Sequence, residues 1–150
     1  MQLDQNSPLI ARQEIDIDAR PDQVWALLTD IPRWPAWQPD VESATLEGGL
    51  APGSVFRWKA KGLSITSVIR ELQQEALIGW TGDSPGMHAV HRWLFTATDG
   101  GVKVATEESL SGWLAHVIRL FDPHFLERSL VNSLQLLKSS AEQMKGGSNE

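Results

Sequence analysis

The sequence predicts an α+β fold in which an antiparallel sheet is covered by one long C-terminal helix. Three observations predict it. Residues 41–111 alternate between apolar and polar and are broken by short turns. Residues 124–145 carry Leu126, Leu130, Leu134, Leu137, Ala141 and Met144 at steps of three and four. Strands joined by turns too short for a crossover must run antiparallel, and a helix with one apolar stripe must bury it on the sheet.

The elements follow in order. Gln13–Ala19 alternates, with Ile15 and Ile17 on one face and Glu14, Asp16 and Asp18 on the other, as in a strand with one wet side. Pro21 suits a first helical position and Asp22 suits the first turn, so a helix runs from there to about Asp30. Pro32, Pro35 and Pro39 forbid a long helix next and leave a short distorted piece holding Trp34 and Trp37. Six strands follow: Val41–Glu47, Ser54–Lys61, Leu63–Leu72, Ala76–Thr81, Met87–Thr98 and Gly101–Ser111. The rest is helical and divided by Pro123, with Gly146-Gly147 as the expected stop. Residues 1–10 and 146–150 read as loose tails of a single domain spanning 1–150.

Composition narrows the function. There are seven Trp, four Phe, no Tyr and no Cys, which excludes disulfides, thiolate metal sites and cysteine nucleophiles. Nineteen acids against thirteen bases give a net charge of −6, which argues against nucleic acid as a partner. No run reaches the ~20 apolar residues of a membrane span, and Met1–Pro8 lacks the pattern of a signal peptide. A cytoplasmic protein without integral membrane contact is the expectation, and oligomeric state is not legible.

Register arithmetic brings polar residues onto an aromatic face. An Asp99-Gly100 turn pairs Thr98 with Gly101, hence Phe95 with Val104, Trp93 with Thr106 and His91 with Glu108. A Lys61-Gly62 turn pairs Trp58 with Ile65 and Phe56 with Ser67, and a Gln74-Glu75 turn sets Ile69 opposite Trp80. In each case the apolar residues agree on one face, which selects the register. The predicted ligand-binding surface is therefore Phe56, Trp58, Ile65, Ser67, Trp80, His91, Trp93, Phe95, Thr106 and Glu108, facing Leu130 and Leu134 of the helix. His91 and Glu108 are the candidate catalytic pair, with His91 as general base or acid and Glu108 as its orienter. The alternative is a satisfied structural pair. By the same parity Arg57, Lys59, Lys61, Arg70, Arg92 and Lys103 lie on the outer face.

Other motifs carry little. Gly82-Asp83-Ser84-Pro85-Gly86 matches G-x-S-x-G, but Pro85 has no N–H to give to an oxyanion hole, so the segment is read as a turn. His88 and His91 are three apart on a strand and face opposite sides, while His116 and His124 read as surface residues. No metal site and no cofactor fingerprint is found.

Residues 21–39 read PDQVWALLTDIPRWPAWQP. Val24-Trp25, Leu27-Leu28, Thr29-Asp30 and Trp34-Pro35-x-Trp37 resemble the first-helix signature of the SRPBCC (START-like) superfamily. The His91-Arg92-Trp93-x-Phe95 strand and the strand ending at Glu107-Glu108 resemble its polyketide cyclase/dehydrase-like branch. The resemblance spans residues 13–145. It implies a helix-grip fold: a seven-stranded antiparallel sheet around a long C-terminal helix, two short helices between strands one and two, and a cavity between sheet and helix. It implies that a small hydrophobic molecule (lipid-, polyketide- or aromatic-type) is bound there, or that a cyclase/dehydratase reaction is run there. A third reading is a protein-interaction module whose cavity is filled. The absence of Tyr removes one usual hydroxyl donor and favours a binder over a catalyst.

Overall fold

The computed structural model describes the backbone of residues 1–148 and the side chains of residues 1–144. Seven strands form one antiparallel sheet: β1 (Leu9–Ile17), β2 (Val41–Leu46), β3 (Val55–Ala60), β4 (Leu63–Gln73), β5 (Leu77–Ser84), β6 (Met87–Thr98) and β7 (Gly101–Ser111). Their order is β1-β7-β6-β5-β4-β3-β2. Between β1 and β2 lie α1 (Pro21–Thr29) and a 3-10 helix over Ile31–Ala36. After β7 come α2 (Trp113–Phe121) and the long α3 (Phe125–Ser148). This is the helix-grip arrangement.

The predicted registers hold. Thr98 faces Gly101 and His91 faces Glu108; Trp58 faces Ile65 and Phe56 faces Ser67; Ile69 faces Trp80. The last pairing arises differently from the expectation. The β4–β5 pairing begins at Gln73 and Leu77, one residue longer than a Gln74-Glu75 turn would give. A bulge between Ile69 and Glu71 restores the register, so the apolar faces agree again.

The pattern also misplaces several boundaries. The N-terminal segment is no loose tail. Leu9 and Ile10 open β1, and Leu9 is buried opposite Leu110. Ahead of it the chain crosses the outer face of the sheet. The Asp4 amide donates to Ser109 Oγ at 3.2 Å, and the terminal ammonium lies 3.7 Å from Glu71. At the other end Gly146-Gly147 does not stop α3, which runs to Ser148; residues 149–150 lie outside the described residues. Gly82–Ser84 belongs to β5, and only Pro85-Gly86 forms the turn, with Gly86 at φ 78°.

The outer-face prediction needs two amendments. Arg92 is not a solvated base. Its guanidinium meets Glu71 at 2.9 Å and Glu107 at 2.7 Å, joining β4, β6 and β7 beneath the N-terminal segment. The hydrogen bond to Glu71 leads in holding Arg92 protonated beyond an ordinary arginine. Lys61 sits in the β3–β4 turn at φ 51°, lies 3.9 Å from Asp40, and stands 5.0 Å over the Phe125 ring.

The apolar interior divides into two clusters. The larger joins Val24, Trp25 and Leu28 of α1 and Trp34 to Phe56, Ile69, Ile78, Trp80, Trp93, Phe95, Leu134 and Leu137. The smaller is Leu9, Leu110, Ala115, Leu126 and Leu130. Trp34 is the hub of the first. Its ring lies 5.3–5.6 Å from Trp58, Phe56 and Trp80, and its Nε1 donates to the Leu28 carbonyl at 2.8 Å. That bond ties the 3-10 helix to α1, which explains why three prolines surround a fixed tryptophan.

Two stability predictions follow from these contacts. Trp34→Ala removes a buried ring from the centre of three others and is expected to cost about 3–5 kcal/mol in urea unfolding. Glu142 accepts from the Asp18 amide at 2.9 Å and from Lys138, tying α3 to the end of β1. The Lys138 hydrogen bond, followed by that from Asp18, holds its carboxyl below the ordinary value of 4.5. Its contribution is therefore present above about pH 4.5 and fades as pH falls through the lowered value. Glu142→Gln is expected to lower stability by under ~1 kcal/mol near neutral pH, with the two thermal-melt curves converging in acid.

Candidate functional site: a cavity between sheet and long helix

The two clusters do not meet fully. Between them lies a cavity of about 180 Å³, walled by Trp34, Trp58, Trp80 and Trp93 from the first and Leu110, Leu126 and Leu130 from the second. At one end of the sheet its lining includes Lys61, Asp40 and Phe125, which converge there. Ser129, Asn132, Ser133 and Leu136 line it from α3 as a second stripe beside the leucines.

Most of the predicted surface is here. Trp58, Ile65, Ser67, Trp80, His91, Trp93, Glu108 and Leu130 line the cavity. Phe56, Phe95, Thr106 and Leu134 stand behind the lining. Phe56 is locked between Trp34 and Trp80, Phe95 lies edge-on to Trp25, and Leu134 joins the main core. Thr106 is fully buried and holds His91 from behind. Strand parity tells which face a residue occupies but not how far along the face the helix closes, which is why these four were included. Trp34, which the proline-rich segment offers either as end packing or as a lid over the cavity, is part of the wall, and Lys61, Asp40 and the α3 stripe join it without having been in the predicted set. The i, i+3, i+4, i+7 spacing of 129, 132, 133 and 136 was the available signal.

The polar centre is compact. His91 Nδ1 lies 3.2 Å from Glu108 Oε2, and His91 Nε2 lies 2.8 Å from Thr106 Oγ1. The ring stacks on Trp93 at 5.4 Å and tilts against Trp80 at 5.2 Å. Thr106 Oγ1 is also 3.2 Å from the Arg92 carbonyl, to which it can donate. Hydrogen-bond counting then limits the proton placements. If Thr106 donates to Arg92, His91 carries a proton on Nε2; if Thr106 donates to Nε2 instead, a neutral ring carries its proton on Nδ1, 3.2 Å from Glu108.

The order Thr106–His91–Glu108 is that of a nucleophile, base and orienter. It does not work as one here, because Thr106 is fully buried off the cavity wall. Both His91 nitrogens are occupied by protein partners. His91 and Glu108 both line the cavity, side by side, the Glu108 carboxyl with His91 as its polar side-chain partner among the described residues. Nearby, Trp58 Nε1 donates to Ser67 Oγ at 3.1 Å, while the buried Trp93 Nε1 has no acceptor among the described residues. No group of three or more His, Asp or Glu side chains able to hold a metal occurs among the described residues.

Comparison with known proteins agrees with the fold. The profile of the family described as polyketide cyclase / dehydrase and lipid transport matches residues 9–142. The chain belongs to that family. Solved structures share its architecture at low identity. A hypothetical protein of Helicobacter pylori superposes with a TM-score of 0.80 at 18% identity, covering 91% of this chain and 90% of that one. An aromatase/cyclase from a Streptomyces species gives 0.77 at 17%, covering 89% and 93%. A START superfamily protein from Mycobacterium smegmatis gives 0.74 at 13%, covering 90% and 98%. At these identities the likeness is one of fold. Among curated proteins none matches the chain in sequence.

Thr106→Val tests the anchoring of the polar centre. It keeps the volume but removes the partner of His91 Nε2, and is expected to cost about 1–3 kcal/mol. Loss of the fixed His91 ring signals in NMR should accompany it.

Proposed function

We propose that the protein binds a small amphipathic molecule, an aromatic or short lipid-like body bearing a hydroxyl, in this cavity. One observation carries the reading: the paired His91 and Glu108, 3.2 Å apart, lie on the cavity wall among Trp58, Trp80, Trp93 and the leucines of β7 and α3. Ligand pockets combine such a mostly apolar lining with a few convergent polar groups. Trp58, Trp80 and Trp93 supply stacking surface, and Glu108 accepts the ligand's hydroxyl.

Volume limits the ligand. A dry cavity of roughly 150 Å³ takes up benzene, whereas drug-sized ligands occupy roughly 300 Å³ or more. At about 180 Å³ the cavity suits one or two rings, and a longer polyketide or sterol would require α3 to move away. An open cavity of this size also counts against an interaction module with a filled interior.

Acid–base catalysis of cyclisation or dehydration is a second reading, favoured by the same pair and by membership of the family. Glu108 would take or give the proton, with the positioned imidazole stabilising its charge. Turnover of aromatic β-keto compounds that is lost in Glu108→Gln, with affinity retained, would support catalysis over binding alone.

The binding test uses matched ligands. Tryptophan fluorescence is expected to change on titration with naphthol and with naphthalene. Glu108→Gln is expected to weaken naphthol by about tenfold, the worth of a hydrogen bond to a charged group, and to leave naphthalene unchanged. No response to either ligand, or an equal loss for both, would overturn the proposal.

A further inference from the structure

The α2 helix carries an apolar face turned toward solvent. Trp113, Val117, Leu120 and Phe121 are 66%, 42%, 77% and 80% exposed. Their spacing of four, seven and eight residues puts them on one side of the helix, while Ala115 is buried on the other. Four of the eight exposed large hydrophobics among the described residues thus fall on nine residues of chain. Scattered apolar residues need no explanation; a clustered helical face does.

The patch adjoins cavity-lining residues at one end of the sheet, the end from which we take the cavity to be entered. Hairpins alternate ends, so the Lys61-Gly62 turn, the Pro85-Gly86 turn and the β7–α2 junction share one end of the sheet. Trp113 packs on Gly86, between the cavity-lining Ser84 and Met87. Phe125 and Leu126, just beyond α2, line the cavity from α3.

We propose that α2 is a docking helix for a lipid bilayer surface, seating the cavity mouth on the membrane so that a lipophilic ligand passes between them without crossing water. An interfacial helix buries its aromatic and leucine face about 5–10 Å into the headgroup boundary and keeps basic groups beside it. Here α2 contains no acidic residue, its polar flank carries exposed His116 and Arg119, and the following Asp122 is paired with Arg128. This local balance is opposite in sign to the net charge of −6 and complements anionic headgroups. A second copy of the chain fits less well. A two-fold contact through one nine-residue helix would set Arg119 and His116 beside their own copies, and four side chains bury little of the roughly 1,200 Å² that a stable dimer needs.

The test uses the full chain and ligand-free vesicles, so its outcome is independent of the ligand proposal. Vesicles of phosphatidylcholine, alone and mixed with phosphatidylglycerol, are floated with the wild type and with a Leu120→Glu, Phe121→Glu double variant. Both residues are exposed, and an unchanged melting curve verifies the variant's fold. The wild type is expected to float with the mixed vesicles, with a blue shift in the emission of Trp113, and the variant to lose at least about tenfold in partition. Absence of wild-type flotation, or flotation that the variant retains, overturns the proposal. So does a wild-type dimer in sedimentation that the variant abolishes, since the face would then be a contact between copies.

Discussion

Everything in this molecule follows from a mismatch between one helix and the sheet it must cover. Seven strands about 4.8 Å apart span roughly 29 Å, whereas a helix with its side chains is about 10–12 Å wide. The sheet curls around α3, yet α3 packs chiefly on β1, β7 and α1 at one side. The β3–β5 side needs another cover. Trp34 provides it, pinned by its bond to Leu28 and wedged among Trp58, Phe56 and Trp80. Where these two covers diverge, the interior splits into two clusters with a cavity between them. The tryptophans so prominent in the composition serve as broad, rigid infill where a second helix would otherwise be required.

That constraint also explains why a His–Glu pair can sit on the inner face. A fully packed interior would strip His91 and Glu108 of water at a cost that few hydrogen bonds repay. On the wall of a cavity both side chains stay partly accessible, while Thr106 holds His91 Nε2 and the ring packs against Trp93 and Trp80. The outer face shows the opposite solution. Arg92 meets two carboxylates at once and is roofed by the N-terminal segment, so its charge is fully compensated and contributes cohesion rather than a site.

The sequence made the sheet legible because the period of two is unforgiving. A slip of one residue would have turned Trp58, Trp80 and Trp93 to solvent, so the turns could be registered from apolar agreement alone. This worked even in the β4–β5 hairpin, where a longer turn and a bulge offset each other. What parity cannot report is distance along the helix. Phe56, Phe95, Thr106 and Leu134 share the face of the lining residues but lie where α1, Trp34 or α3 closes over them. The N-terminal residues were illegible for a different reason: backbone-mediated contacts such as that from the Asp4 amide to Ser109 leave no periodicity. Gly146-Gly147 read as a stop because glycine favours helix ends, yet two glycines cost a helix only about 1 kcal/mol each.

The setting of His91 and Glu108 shows the step from pattern to chemistry most clearly. Sequence alone favours histidine as the reactive group, since its ordinary titration range lies near neutrality. Geometry adds what pattern cannot: Thr106 holds Nε2 from behind the wall, which leaves Nδ1 toward Glu108. A threonine off the cavity lining thereby orients an imidazole that lines it. Residues of this kind are invisible to any reading that looks only at the lining.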